Sequence, residues 1–129
     1  TISVCDIQDK FRNVIYEFDK MYTPLPFTNS TQLTIIQESY DAEGLNFANA
    51  LSIPVVTTTQ TSAKLGPTVP SLAELLPSPP HDKTRFSMFI PSVVADLAPG
   101  SEIALVGIES HICITQTALD LRDAGHKVY

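Results

Sequence analysis

The apolar positions of this chain fall into short β-branched runs, separated by stretches in which apolar residues recur every three or four positions, with Gly and Pro at the joints. The clearest run is Ile103-Ala104-Leu105-Val106, closed by Gly107. Apolar residues on both faces of the pleat predict a strand covered on both sides, as in a parallel sheet. From Ser110 the period becomes helical: Ser110 suits an N-cap, Ile114, Ala118 and Leu121 share one face, and Gly125 supplies the stop. Cys113 therefore falls in the first turn of a helix at the carboxyl end of a strand, where open α/β sheets hold their ligands. The positive end of the helix dipole there favours thiolate over thiol. On this pattern alone a packing role for Cys113 stands beside a chemical one, because cysteine is among the most buried residue types.

The rest of the chain repeats the alternation. Residues 1–7 predict a first strand, interrupted near its end by Asp6, whose burial is costly unless it is paired; a capping or loop role is the plainer reading. Residues 8–22 mix charge and aromatics, with Phe11, Ile15 and Phe18 near helical spacing, and Pro24 and Pro26 end the segment. Asn29 or Ser30 caps a long helix to about Leu51, with Leu33, Ile36, Tyr40, Phe47 and Leu51 as its stripe and Gly44 as a weak point. Residues 54–59 form the second strand and 60–70 a loop. A short helix over 71–76 carries a Ser71/Glu74 capping box, and Pro77, Pro79 and Pro80 make a rigid connector. A third strand is expected at 86–89, Pro91 starts a helix that runs to Pro99-Gly100, and a last strand opens at His126. Strands alternating with helices imply right-handed crossovers and a Rossmann-like open parallel sheet with helices on both faces, a three-layer α/β/α fold.

At 129 residues the chain suits one domain. It begins on a strand-like run and stops at His126-Lys127-Val128-Tyr129 as another run opens, so the domain over 1–129 is expected to be incomplete at its C-terminus. A net charge of -6 and the lack of a Lys/Arg cluster argue against nucleic-acid and anionic-membrane surfaces. Two cysteines far apart form neither a disulfide framework nor a zinc motif, and they suit an intracellular, cytoplasm-like reducing compartment. No apolar run reaches membrane-spanning length.

Three polar residues stand at strand ends: Asp6 after the first strand, Lys83 before the third and Cys113 after the fourth. If the first strand is central, all three converge on one crevice. There the cation lowers the cysteine pKa and the carboxylate can take the thiol proton.

In chain order, V-C-D-I-Q, K-T-R-F-S-M-F and G-I-E-S-H-I-C-I resemble the three signature blocks of the isochorismatase-like cysteine hydrolases. I-P-V-V-T-T-T-Q with L-G-P-T-V-P is similar to the isochorismatase-domain-containing subgroup, and the likeness runs from Ser3 to about Val128. The resemblance implies Cys113 as nucleophile, Asp6 as general base and Lys83 as the cation that holds the pair ionised. It also implies a cis peptide at Ile108-Glu109 and an oxyanion hole at the Ile112 and Cys113 N–H groups. Hydrolysis of a small-molecule amide or related C–N bond, without cofactor, follows, and so does a homo-oligomer. A non-catalytic oligomeric scaffold of the same fold is the alternative. Metal-dependent nicotinamidase relatives carry D-x-H after the second strand, where this chain has Thr58-Thr59-Gln60, so no catalytic metal is expected. His81 and Asp82 read as solvated loop. His111 reads as a pocket-edge residue, since residues two apart on a helix do not face each other. Cys5, beside Asp6 on a strand, is expected to point to the opposite face as core. By position alone, Gln8, Phe11, Gln60, Phe86 and Ile112 are candidates to line the crevice, with a plain packing role standing beside that for each, and Arg85 is the candidate carboxylate clamp.

Overall fold

The computed structural model describes residues 1–16, 18 and 40–129. The Pro24 and Pro26 breaks, the helix start at Asn29 or Ser30, and Leu33, Ile36 and the Tyr40 side chain lie outside the described residues. Five strands form one sheet: β1 (Ile2–Cys5), β2 (Val55–Gln60), β3 (His81–Lys83), β4 (Glu102–Gly107) and β5 (Lys127–Val128), in the order β3-β2-β1-β4-β5. Every pairing between neighbouring strands is parallel, and β1 is central, with Cys5 opposite Thr58 on one side and Gly107 on the other. A strand paired on both edges and covered on both faces is predominantly apolar, and Val4 and Cys5 are fully buried, with Ser3 as its one buried polar residue.

Helices lie on both faces, giving the expected three layers. Helix α1 (Tyr40–Ala50) and the single turn α3 (Pro70–Ala73) pack through Leu45, Ala48 and Leu72 on Val4, Val55 and Ile108. On the other face α4 (Pro91–Ala95) and α5 (Thr115–Asp123) pack through Val93 and Leu121 on Val56 and Ile103. One further turn, α2 (Ser62–Leu65), lies in the loop after β2.

Five local expectations are corrected. The helix that starts at Pro91 ends at Ala95, with Asp96 as its C-cap, short of Pro99-Gly100. In α1 the buried positions are Leu45 and Ala48, while Phe47 and Leu51 are exposed, so the helix is rotated from the stripe expected of it. The helix expected at 71–76 runs Pro70–Ala73, with Pro70 at its first position behind Val69 and no Ser71 capping bond. The third strand is His81–Lys83, not 86–89. The chain bends at once after Lys83 because its ammonium draws the Arg85 and Phe86 carbonyls back at 3.2 and 2.8 Å. Finally, Ser110 is no N-cap: Ser110–Ile114 is a π-turn behind Glu109, and α5 begins only at Thr115. Such wide turns recur at functional sites.

Candidate active site

The carboxyl ends of β1, β3 and β4 bring Asp6, Lys83 and Cys113 together. Asp6 is the first residue beyond β1 and takes φ +54, a left-handed conformation that aspartate tolerates better than most residues. This turn breaks the side-chain alternation of the strand. Cys5 therefore does not point away from the site as expected: its Sγ lies 3.4 Å from Asp6 Oδ2, and the donor atoms of Cys5, Asp6 and Cys113 all lie within 4.8 Å of one another. Lys83 ends β3, and its side chain is wholly buried.

A buried ammonium requires a partner for each proton. Lys83 Nζ donates to Asp6 Oδ2 at 2.6 Å, to Gln60 Oε1 at 2.7 Å and to the Phe86 carbonyl at 2.8 Å, and it stands 3.9 Å from Cys113 Sγ. Asp6 is held from three sides, since the Thr58 hydroxyl also donates to its Oδ1 at 2.8 Å. Hydrogen bonding from the Cys5 thiol, and then the Lys83 charge, hold the Cys113 thiol below its ordinary value against the opposing effect of burial. The Cys5 thiol is pushed far up, by its hydrogen bond with Cys113, by burial and by the charge of Asp6, and so keeps its proton. Cys5, Asp6 and Cys113 form a donor set of a kind a soft metal ion can use, but the Lys83 ammonium already neutralises Asp6 at 2.6 Å.

Asp6 and Cys113 form part of the wall of a cavity of about 250 Å³, which is otherwise lined by Phe11, Gln60, Leu65, Phe86, Ile108, Glu109 and Ile112. Of the residues assigned to the crevice by position, Phe11, Gln60, Phe86 and Ile112 are on this wall. Gln8 is not on the wall. It is fully buried, with Nε2 donating to the Gly66 carbonyl at 2.6 Å and Oε1 accepting from the Gln60 N–H at 2.8 Å. Arg85 is no clamp in this arrangement: it points outward and pairs with Asp120 at 3.1 Å. His81 and Asp82 are strand residues rather than loop. His81 pairs with Asp96 at 2.8 Å, and Asp82 accepts from the Thr59 hydroxyl at 2.9 Å and the Ser62 N–H at 2.7 Å. His111 sits outside the cavity, exposed, with Nε2 3.5 Å from Glu109 Oε2.

The Ile108-Glu109 peptide is cis, as the resemblance implied. The Ile112 N–H donates to the Glu109 carbonyl at 3.1 Å, so its proton is committed within the turn. Two participants escaped the sequence reading. Thr58 carried one signal, since a buried strand hydroxyl must find a partner. Cys5 carried another in standing next to Asp6.

The family profile described as the isochorismatase domain matches residues 2–129. The chain is 34% identical over 134 residues to the secreted isochorismatase effector Isc1 of Phytophthora sojae (strain P6497), covering 98% of this chain and 56% of that protein. It is 39% identical over 130 residues to isochorismatase domain-containing protein 2 of Bos taurus, covering 98% and 54%. Among solved structures it is similar to one titled MAR1 ribonuclease, from Caenorhabditis elegans. The TM-score is 0.80 at 36% identity, with 98% of this chain and 59% of that one covered. The chain thus spans little more than half the length of these relatives.

Proposed function

The chain belongs to the isochorismatase family, and from that membership we propose that it is a cysteine-dependent hydrolase of an amide or related C–N bond in a small molecule. One observation carries the reading: a fully buried lysine lies 2.6 Å from Asp6 Oδ2 and 3.9 Å from Cys113 Sγ, beside a cavity that reaches both acidic partners. Lys83 has its protons satisfied by oxygen acceptors and stays a cation throughout. Asp6 is the proton carrier. It takes the Cys113 proton, and the thiolate attacks the carbonyl carbon. The C–N bond then breaks as the protonated Asp6 gives its proton to the leaving nitrogen. Water attacks the resulting thioester while Asp6 takes a proton again, and the C–S bond breaks to release acid and thiolate. With the Ile112 N–H engaged in its turn, the oxyanion is assigned to the Cys113 N–H; such a donor contributes on the order of 3 to 4 kcal/mol to the transition state.

The size of the cavity, about 250 Å³, and the net charge of -6 support a small molecule rather than an RNA strand. Screening of small amides, with an RNA oligonucleotide in parallel, tests the assignment. Turnover of at least one amide is expected, with loss in Cys113→Ser and a fall of about 10²- to 10⁴-fold in Lys83→Met. RNA cleavage that depends on Cys113, or a Cys113 that alkylates at neutral pH no faster than a free thiol, would overturn it.

A further inference from the structure

We propose that the Cys5 thiol is a positioning donor for the nucleophile: its S–H turns from Asp6 to Cys113 as negative charge passes from the carboxylate to the sulfur. The inference rests on Cys113 being the nucleophile and adds a residue to that site.

The Cys113 thiolate needs a direct hydrogen-bond donor, and Lys83 does not supply a short one. The three protons of its ammonium go to Asp6 Oδ2, Gln60 Oε1 and the Phe86 carbonyl at 2.6, 2.7 and 2.8 Å, while Cys113 Sγ is 3.9 Å away. Lys83 therefore acts on the sulfur chiefly as a charge. Cys5 has one S–H and is fully buried, so solvent does not compete for it. Its hydrogen-bonded acceptor in this arrangement is Asp6 Oδ2 at 3.4 Å, and Cys113 Sγ is the neighbouring acceptor it can turn to, the three side chains having their donor atoms within 4.8 Å of one another. The backbone of Cys5 is fixed by its place in the central strand and by its carbonyl accepting from the Ile108 N–H at 3.0 Å. What remains free is the S–H torsion.

The proton balance follows from these positions. While Asp6 is anionic, the Lys83 ammonium, the Thr58 hydroxyl and the Cys5 thiol all donate to it. When the Cys113 S–H bond breaks and an O–H bond forms on Asp6, the charge leaves the carboxylate and appears on Cys113 Sγ. The Cys5 S–H then turns to that sulfur without transferring its own proton. The movement reverses when Asp6 gives its proton to the leaving nitrogen.

The test is the pH profile of Cys113 alkylation by iodoacetamide in the intact protein. It is read on the Cys113 peptide by mass spectrometry, with a phosphine as reductant. Cys5→Ala removes the donor, and Cys5→Ser retains a donor of similar size. Cys5→Val, which suits a buried strand, stands in if the alanine variant does not fold. In wild type the midpoint is expected below that of a free thiol. Cys5→Ala or Cys5→Val should move it upward by about one pH unit, with alkylation at pH 7 slowed about tenfold, because a thiolate without its donor is a stronger base. Cys5→Ser should restore most of the shift. A Cys5→Ala profile that superimposes on wild type overturns the inference, as does a Cys5→Ser profile displaced as far as that of Cys5→Ala. A wild-type midpoint at the free-thiol value instead overturns the nucleophile assignment itself.

Discussion

A Cβ placed on Gly107 would collide with the Cys5 carbonyl oxygen and stand 2.7 Å from the Cys5 nitrogen, and the residue has φ +117. Both facts exclude a side chain: the first by contact with main chain that cannot swing aside, the second by backbone strain. The consequence reaches the chemistry, because Gly107 lies opposite Cys5 in the β1–β4 ladder and immediately precedes Ile108 and Glu109 on the cavity wall. Gly107→Ala is expected to separate the two central strands at the site and to destabilise the protein by about 4 kcal/mol or more, among the largest effects a single substitution has. Chemical denaturation measures this directly. A loss below about 1 kcal/mol would mean that the strands part easily, and the close approach would then not be what holds Cys5 in place.

At the level of elements, the cavity wall that carries Leu65 is a loop tied to the sheet by a few polar bonds. Gln8 joins the Gly66 carbonyl and the Gln60 N–H, Thr68 pairs with Gln8 in an isolated bridge, and Asp82 accepts from the Ser62 N–H. Gln8→Leu conserves volume but strands a buried donor and acceptor, at a cost of about 1 to 3 kcal/mol. Hydrogen exchange at the Gln60 and Gly66 amides should quicken in this variant, while the β1 amides keep their protection. Unchanged exchange at Gln60 would show that the loop is held by its own turns. The same bonds explain which elements the sequence disclosed. Strands β1, β2 and β4 are rich in β-branched or apolar residues, and Gly125 follows the end of α5 as expected, so these were legible. Strand β3 was not, because its three residues are His81, Asp82 and Lys83, and a polar edge strand has no hydrophobic period. The apolar residues 86–89 that imitated a strand are instead bent around the Lys83 ammonium. Asp6, Lys83 and Cys113 were legible from residue chemistry at strand ends and from the resemblance of the three blocks. Cys5 was misplaced because the period of two fails at Asp6, whose positive φ no pattern of side chains announces. Gln8 and Arg85 were placed near the crevice by position alone, and position does not determine which way a long polar side chain turns.

For the molecule as a whole, the charge distribution bears on what can reach Cys113. The net charge is -6, and of the two acidic residues on the cavity wall Asp6 is paired with Lys83, which leaves Glu109 as the carboxylate there without a lysine or arginine partner among the described residues. Among the described residues lining the cavity there is no lysine or arginine. The nearby cation Lys83 is fully buried and satisfied, and Arg85 turns away to Asp120. The exposed pairs Arg85–Asp120, Lys127–Glu102 and Arg12–Asp9 are of a kind that contributes little to stability, and the excess of acidic over basic residues makes the far field of the chain negative. Two reagents that differ in charge but scarcely in size separate the far field from the local one. Iodoacetamide is neutral, so its rate at Cys113 reports thiolate content and access without a contribution from the far field. That content is set by buried partners, so the rate should hold steady as NaCl is raised from about 10 mM to about 0.5 M, over which the screening length shrinks from roughly 30 Å to a few ångström. Iodoacetate is an anion. Relative to iodoacetamide, and normalised to the same ratio for a free thiol, it should react more slowly at low salt, and the gap should narrow as salt rises. Iodoacetate reacting faster than this normalised reference would require a cation at the mouth, supplied from outside the described lining, and would turn the expected substrate from a neutral amide to an anionic one.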